Sequence, residues 1–138
     1  MTATDATQTT DPATTYTIAE VAQKVGVTAH TLRYYERIGL LDVGRDQGGR
    51  RQYTEVDIGR VLFITRLRST AMPISGIQHY FALAAAGDHT EPERLALLER
   101  HRDEVRARLA GLEDALAAIE FKIALYGGNL ANCASPPA

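Results

Sequence analysis

Tryptophan is absent from this 138-residue chain, and cysteine occurs once, at Cys133. A lone thiol cannot close an intrachain disulfide or supply a chelating thiolate pair, so the chain is expected in a reducing cytoplasm, with no metal site or cofactor. No apolar run approaches the roughly eighteen residues of a membrane span, so no membrane partner is expected. The opening stretch MTATDATQTTDPATT has neither a basic start nor an apolar segment, and it does not read as a secretory signal. With almost nothing to bury, residues 1–15 are expected to be a disordered tail. Gly-rich phosphate loops, paired catalytic carboxylates and nucleophile–base patterns are also missing, which argues against an enzyme.

What charge there is has an uneven placement. The net value is −2, yet residues 16–81 carry nine Lys/Arg against six Asp/Glu, and residues 82–138 carry six against nine. Residues 1–15 add two acids and no base. A basic module followed by an acidic one points to a polyanionic partner for the first.

Helix starts are legible. YTIAEV offers Thr17 as N-cap, Glu20 as its reciprocal partner and Tyr16 as a staple onto Val21. YTEVDI repeats the arrangement with Thr54, Asp57, Tyr53 and Ile58. VTAHTL has Thr28 as cap, with Val27 and Leu32 as staple. HTEPERL has Thr90 as cap, Glu93 as partner and Pro92 in a first-turn slot. Pro73 in MPISGI marks a further start.

The first helix, about Ile18–Val25, has Ile18, Val21, Ala22 and Val25 on one face, and Gly26 ends it. The second begins after only Val27 and Thr28. Two short helices joined so tightly make a helix-turn-helix. In the second, Leu32, Tyr35 and Ile38 lie inward, while His30, Arg33, Tyr34 and Arg37 share the other face at i, i+3, i+4, i+7 spacing. With Thr28 at its start, that face is polar, aromatic and cationic, as a helix reading the major groove requires.

Directly afterwards, LLDVGRDQGGRRQY reads as a short apolar strand, a turn centred on Gly48-Gly49, and a return strand. Arg45, Arg50 and Arg51 cluster on this hairpin, with Tyr53 at its end. Arginine's planar fork suits phosphate, so the hairpin is expected to act as a wing along the DNA backbone. Arg68, further on, completes the expected DNA-contacting set.

The rest of the chain carries a different periodicity. Leu95, Leu98, Arg102, Val105, Leu109, Leu112, Leu116, Ile119, Ile123 and Tyr126 follow alternating steps of three and four. All but Arg102 are apolar or aromatic. Such a seam is that of a coiled coil and implies a homodimer, since no later helix is available to cover it. Gly127-Gly128 should end the helix.

Three segments together, YTIAEVAQKVGVTAHTLRYYERIGLL, the wing ending GGRRQY, and DIGRVLFITRLRSTAMPISGI, resemble the DNA-binding domain of the mercury-resistance (MerR) family of regulators. The likeness runs from Tyr16 to Phe81. It implies a mainly α fold: a winged helix-turn-helix, a second helix pair, and a long dimerisation helix pairing as an antiparallel coiled coil. The boundaries expected are 16–86 for the DNA-binding domain, 87–90 for a linker, 91–126 for the coiled-coil helix and 127–138 for a terminal turn and tail. The partners implied are double-stranded promoter DNA at a palindromic site, a second copy of the chain, and RNA polymerase. The mechanism implied is bending and untwisting of the promoter.

Metal-sensing relatives place thiolates at the start of the dimerisation helix and in the loop after it. Here His89, Thr90 and Glu91 stand at the start, and Cys133 is alone, so thiolate metal sensing is not expected. An effector, if there is one, is expected to be a small organic molecule beside Tyr80, Phe81, Phe121 and Tyr126. The alternatives are a dimeric coiled-coil adaptor that binds protein, and an architectural DNA-binding protein without an effector.

Overall fold

The computed structural model of the chain describes residues 14–128. Contacts divide it into two units, Met1–Asp88 and His89–Ala138. Residues 1–13 of the expected 1–15 tail and residues 129–138 of the expected 127–138 turn and tail, with Cys133, lie outside the described residues.

The first unit, the head, is built from four helices and a small hairpin: α1 (Ile18–Val25), α2 (Ala29–Arg37), β1 (Gly44–Arg45), β2 (Arg51–Gln52), α3 (Glu55–Ser69) and α4 (Ile74–Ala86). Helix α1 starts at a full capping box. Thr17 Oγ1 accepts from the Glu20 amide at 3.1 Å, and Glu20 Oε1 accepts from the Thr17 amide at 2.8 Å. Gly26 closes α1 at φ 82°, a left-handed conformation that costs glycine least, and its amide donates back to the Ala22 carbonyl. Two residues later Thr28 caps α2 through the Thr31 amide. Thr54 and Asp57 form a second capping box at α3.

The core draws residues from all four helices of the head and from the segments between them. Val21, Leu32, Leu40, Tyr53, Val61, Ile64 and Ile77 are almost wholly buried, with Tyr35, Leu41, Val43, Leu67 and Met72 close behind. Two polar links brace this core. Gln78 on α4 donates to the Ile38 carbonyl at the end of α2 at 3.0 Å. Arg68 on α3 donates to the Met72 carbonyl at 2.7 Å, holding the corner where Ala71 takes a positive φ of 68° ahead of Pro73.

Local details differ from the sequence reading. The apolar stretch Leu40–Val43 fills the core rather than pairing, and the ladder is only Gly44↔Gln52 and Arg45↔Arg51. Tyr16, placed ahead of α1, exchanges backbone hydrogen bonds with Tyr53 at 2.8 and 2.9 Å, a pairing the sequence reading did not include. Its hydroxyl donates to Glu55, and the Lys24 ammonium lies over its ring.

The second unit is dominated by α5 (Glu91–Gly127), preceded by a 3-10 turn at Asp88–Thr90. At 1.5 Å per residue its 37 residues span about 55 Å. The expected capping box at its start is not formed. The preceding turn holds Thr90 at ψ 1°, outside the extended geometry a cap requires, and Thr90 Oγ1 accepts from Arg94 Nε at 2.9 Å. Gly128, in the left-handed region, ends the helix. No helix among the described residues is long and apolar enough to cross a membrane.

Candidate nucleic-acid interface

Helix α2 has two faces of different chemistry. Leu32 and Tyr35 are buried and Ile38 half-buried, which fixes the rotation of the helix on the head. His30, Arg33 and Arg37 are thereby exposed, with Tyr34 half-exposed between them. The Arg37 guanidinium stacks over the Tyr34 ring, 5.4 Å from its centroid, a cation–π contact that limits where Arg37 can go. Thr28 stays exposed at the start of the helix, its hydroxyl occupied by Thr31.

The wing is organised by Asp46. Its Oδ1 accepts from the amides of Gly48 and Arg50, both at 2.9 Å, and its backbone amide donates to the Arg50 carbonyl at 2.8 Å. Gly49 sits at φ 83° in this turn, where a β-carbon would be strained. The result is a rigid tip from which Arg50 projects, its side chain 85% exposed, with only a 3.8 Å pair to Asp46. A cleft of about 430 Å³ separates the wing from the segment Thr15–Ile18 and is lined by Arg45, Arg50 and Arg51.

Arg45 and Arg51 have another occupation. Both reach the carboxylate of Glu36 on α2: Arg51 Nε at 2.6 Å and Arg45 Nη2 at 3.2 Å. Glu36 has no assigned role in the sequence pattern. Its nine- and fifteen-residue separations from its partners carry no periodic signal, and only the hairpin register that sets Arg45 against Arg51 brings the three together.

Tyr53 requires a correction. It was expected to face DNA, but its side chain is fully buried and its hydroxyl has no hydrogen-bond partner. The bridge to Tyr16 turns Tyr53 into the head, where burial pushes its phenol pKa upward. Burial does the same to Tyr35. The hydrogen bond to Glu55 is the main cause of the raised pKa of Tyr16. Arg68 is exposed on α3, with one guanidinium nitrogen committed to Met72.

Of the residues expected to line an effector pocket, Tyr80 and Phe81 join Phe63 in an edge-to-face cluster within the head, with centroids 5.2 to 6.4 Å apart. The Arg60 guanidinium lies 4.6 Å over Phe81. Phe121 and Tyr126 belong to α5, where the Lys122 ammonium lies 5.8 Å from the centroid of the Tyr126 ring and Tyr126 stays 81% exposed. No cluster of metal-ligating side chains occurs among the described residues. On α5, Leu95, Leu109, Leu112, Leu116, Ile119 and Ile123 are all more than half exposed, Leu116 least at 53%. Leu98 and Val105 are half-buried.

Comparison with known proteins places these features in context. Residues 16–83 match the family described as MerR HTH family regulatory protein, and residues 58–120 match that described as MerR, DNA binding. An uncharacterised HTH-type transcriptional regulator of Haemophilus influenzae is 38% identical over 113 residues, covering 81% of this chain and 84% of its own. The Bacillus subtilis regulator AdhR is 42% identical over 86 residues, covering 62% of this chain and 61% of its own. Among solved structures, HiNmlR, a MerR family regulator lacking the sensor domain and bound to promoter DNA, superposes with a TM-score of 0.79 at 35% identity. That match covers 90% of this chain and 98% of the other.

Proposed function

The chain belongs to the MerR family of helix-turn-helix regulators and is a DNA-binding transcriptional regulator, and from that premise we propose that it acts as a homodimer on a palindromic promoter site. The observation that carries the proposal is the outer face of α2. Arg33, Arg37 and His30 stand exposed on a helix whose rotation is fixed by Leu32 and Tyr35, beside a wing whose Arg50 is free to reach phosphate. Helix α2 then enters the major groove with Thr28, His30, Arg33, Tyr34 and Arg37, and the wing follows the backbone. Homodimerisation through the α5 stripe sets the distance between two heads. Contacts to both half-sites supply the energy to bend and untwist the promoter for RNA polymerase. The HiNmlR structure on promoter DNA supports this reading. A small organic effector is part of the proposal, and cytoplasmic location follows from the regulatory role.

Footprinting of the purified protein on the promoter region beside its own gene tests the proposal. Paired protections about one helical turn apart are expected. Arg33→Ala should cost about 1–3 kcal/mol of specific binding and relax preference at one position per half-site. Affinity that ignores both sequence and salt would overturn it in favour of a protein-binding adaptor.

A further inference from the structure

Glu36 belongs to the reading helix, yet its carboxylate is spent on the wing. One oxygen accepts from Arg51 and the other from Arg45. Those two arginines are direct register partners across the β1–β2 ladder, so one carboxylate grips both strands. The grip is more sheltered at Arg51 than at Arg45: the Glu36 side chain is 20% exposed and that of Arg51 25%, while that of Arg45 is 43% exposed. Arg50, the next residue back, is almost entirely in solvent and only loosely paired. The wing therefore presents two kinds of arginine, one free and two held.

We infer that Glu36 is a positioning and specificity-setting residue for DNA binding, which fixes the wing to the reading helix and keeps Arg45 and Arg51 from engaging phosphate indiscriminately. This rests on the DNA-binding reading above and adds to it. Phosphate contacts supply sequence-independent affinity, and each one steepens the salt dependence. A regulator that neutralises phosphate with every available arginine gains affinity for all DNA and loses discrimination. Two guanidiniums held by one carboxylate leave one net positive charge where the sequence counts two. The same bonds set the offset between α2 and the wing before DNA arrives, so ordering of two long side chains is not charged against binding.

The test uses the full chain and two duplexes, one carrying its footprinted site and one with that site scrambled, titrated across salt concentrations. Glu36→Gln is expected to bind the scrambled duplex about tenfold more tightly at low salt, with a slope steeper by about one unit. Its ratio of specific to scrambled affinity should fall about tenfold. Glu36→Asp, which keeps the charge, should retain the wild-type slope. Arg50→Gln should flatten the slope by about 0.9 units, and Arg51→Gln by clearly less. The Arg50 and Arg51 variants leave Glu36 in place, so that comparison decides the matter even if Glu36→Gln fails to fold by circular dichroism. A Glu36→Gln protein with wild-type slope and ratio, or equal flattening by Arg50→Gln and Arg51→Gln, would overturn the inference while leaving DNA binding intact. A wild-type protein blind to salt and sequence would overturn both.

Discussion

Ile64 and Ile77 in the head are wholly buried, whereas Leu112 and Ile123 on α5, residues of the same kind, stand 67% and 64% exposed. The head covers its apolar residues from several directions, because four helices and a hairpin fold back on one another. Helix α5 is a single rod with a stripe of leucine and isoleucine and, beyond residue 105, no buried position. Its charge differs as well, acids outnumbering bases there while bases outnumber acids over residues 16–81. The head has the means to be a stable fold in one copy. The stripe is stable only when covered, and the proposed cover is a second α5 in reverse orientation.

The largest expected effect strikes that difference directly. Leu109→Asp combined with Leu112→Asp places two charges mid-stripe, where burial without a partner costs several kcal/mol. Sedimentation should show the dimer dissociating by a factor above about 100, since each ~1.4 kcal/mol is tenfold. Circular dichroism should lose α5 helicity before that of the head. A monodisperse, well-folded monomer of the unmutated protein would break the comparison, because the stripe would then need no partner.

A second pair of variants separates the units by concentration. Ile64→Ala removes a fully buried side chain from the head and should destabilise it by about 2–5 kcal/mol. That loss should be the same at any protein concentration. Leu116→Ala removes a side chain that is buried only on assembly, so its effect on Tm should depend on protein concentration. Identical concentration dependence for both would mean that head and helix unfold as one unit.

How far the sequence reaches differs between the two units in the same way. The α5 stripe repeats over a long helix, so its period is visible without any knowledge of contacts. Caps are local too, and the boxes at Thr17 and Thr54 were both legible. The third, at Thr90, was not formed, because the 3-10 turn before it put the backbone in the wrong conformation, which no side-chain pattern reports. In the candidate site, the outward face of α2 was readable from helical spacing. The Glu36 grip and the burial of Tyr53 were not, since both follow from the hairpin register and from Tyr16 pairing with a residue far along the chain. Long-range pairings of two or three residues leave no periodic trace.

Smaller effects probe the caps. Thr17→Ala removes the acceptor for the Glu20 amide and should cost the head about 1 kcal/mol. Thr90→Ala removes no side-chain cap bond from α5 but loses the hydrogen bond from Arg94. Thermal unfolding should show the Thr17 loss restored by Thr17→Ser, which keeps the hydroxyl. The serine and alanine variants matching each other would show that the box contributes nothing.

The smallest effect expected at neutral pH belongs to Tyr53→Phe, and it tests the correction made to the reading face. The Tyr53 hydroxyl is buried and unpaired, and an unpaired buried hydroxyl opposes folding. Its removal should leave stability unchanged or raise it by up to about 1 kcal/mol, and binding to the operator should stay at the wild-type level. The two proteins should part in alkali. Burial raises the Tyr53 pKa above its ordinary value of 10.0, so the neutral phenol is favoured in the fold. The stability linked to that neutral form is fully present below about pH 10 and is lost as pH rises through the folded pKa. Tyr16 and Tyr35, also raised, remain in the variant, so both proteins weaken above pH 10 but wild type weakens more. Urea titrations from neutral to alkaline pH measure the widening gap. A loss of operator affinity in Tyr53→Phe at neutral pH, with stability intact, would return Tyr53 to the DNA-contacting set.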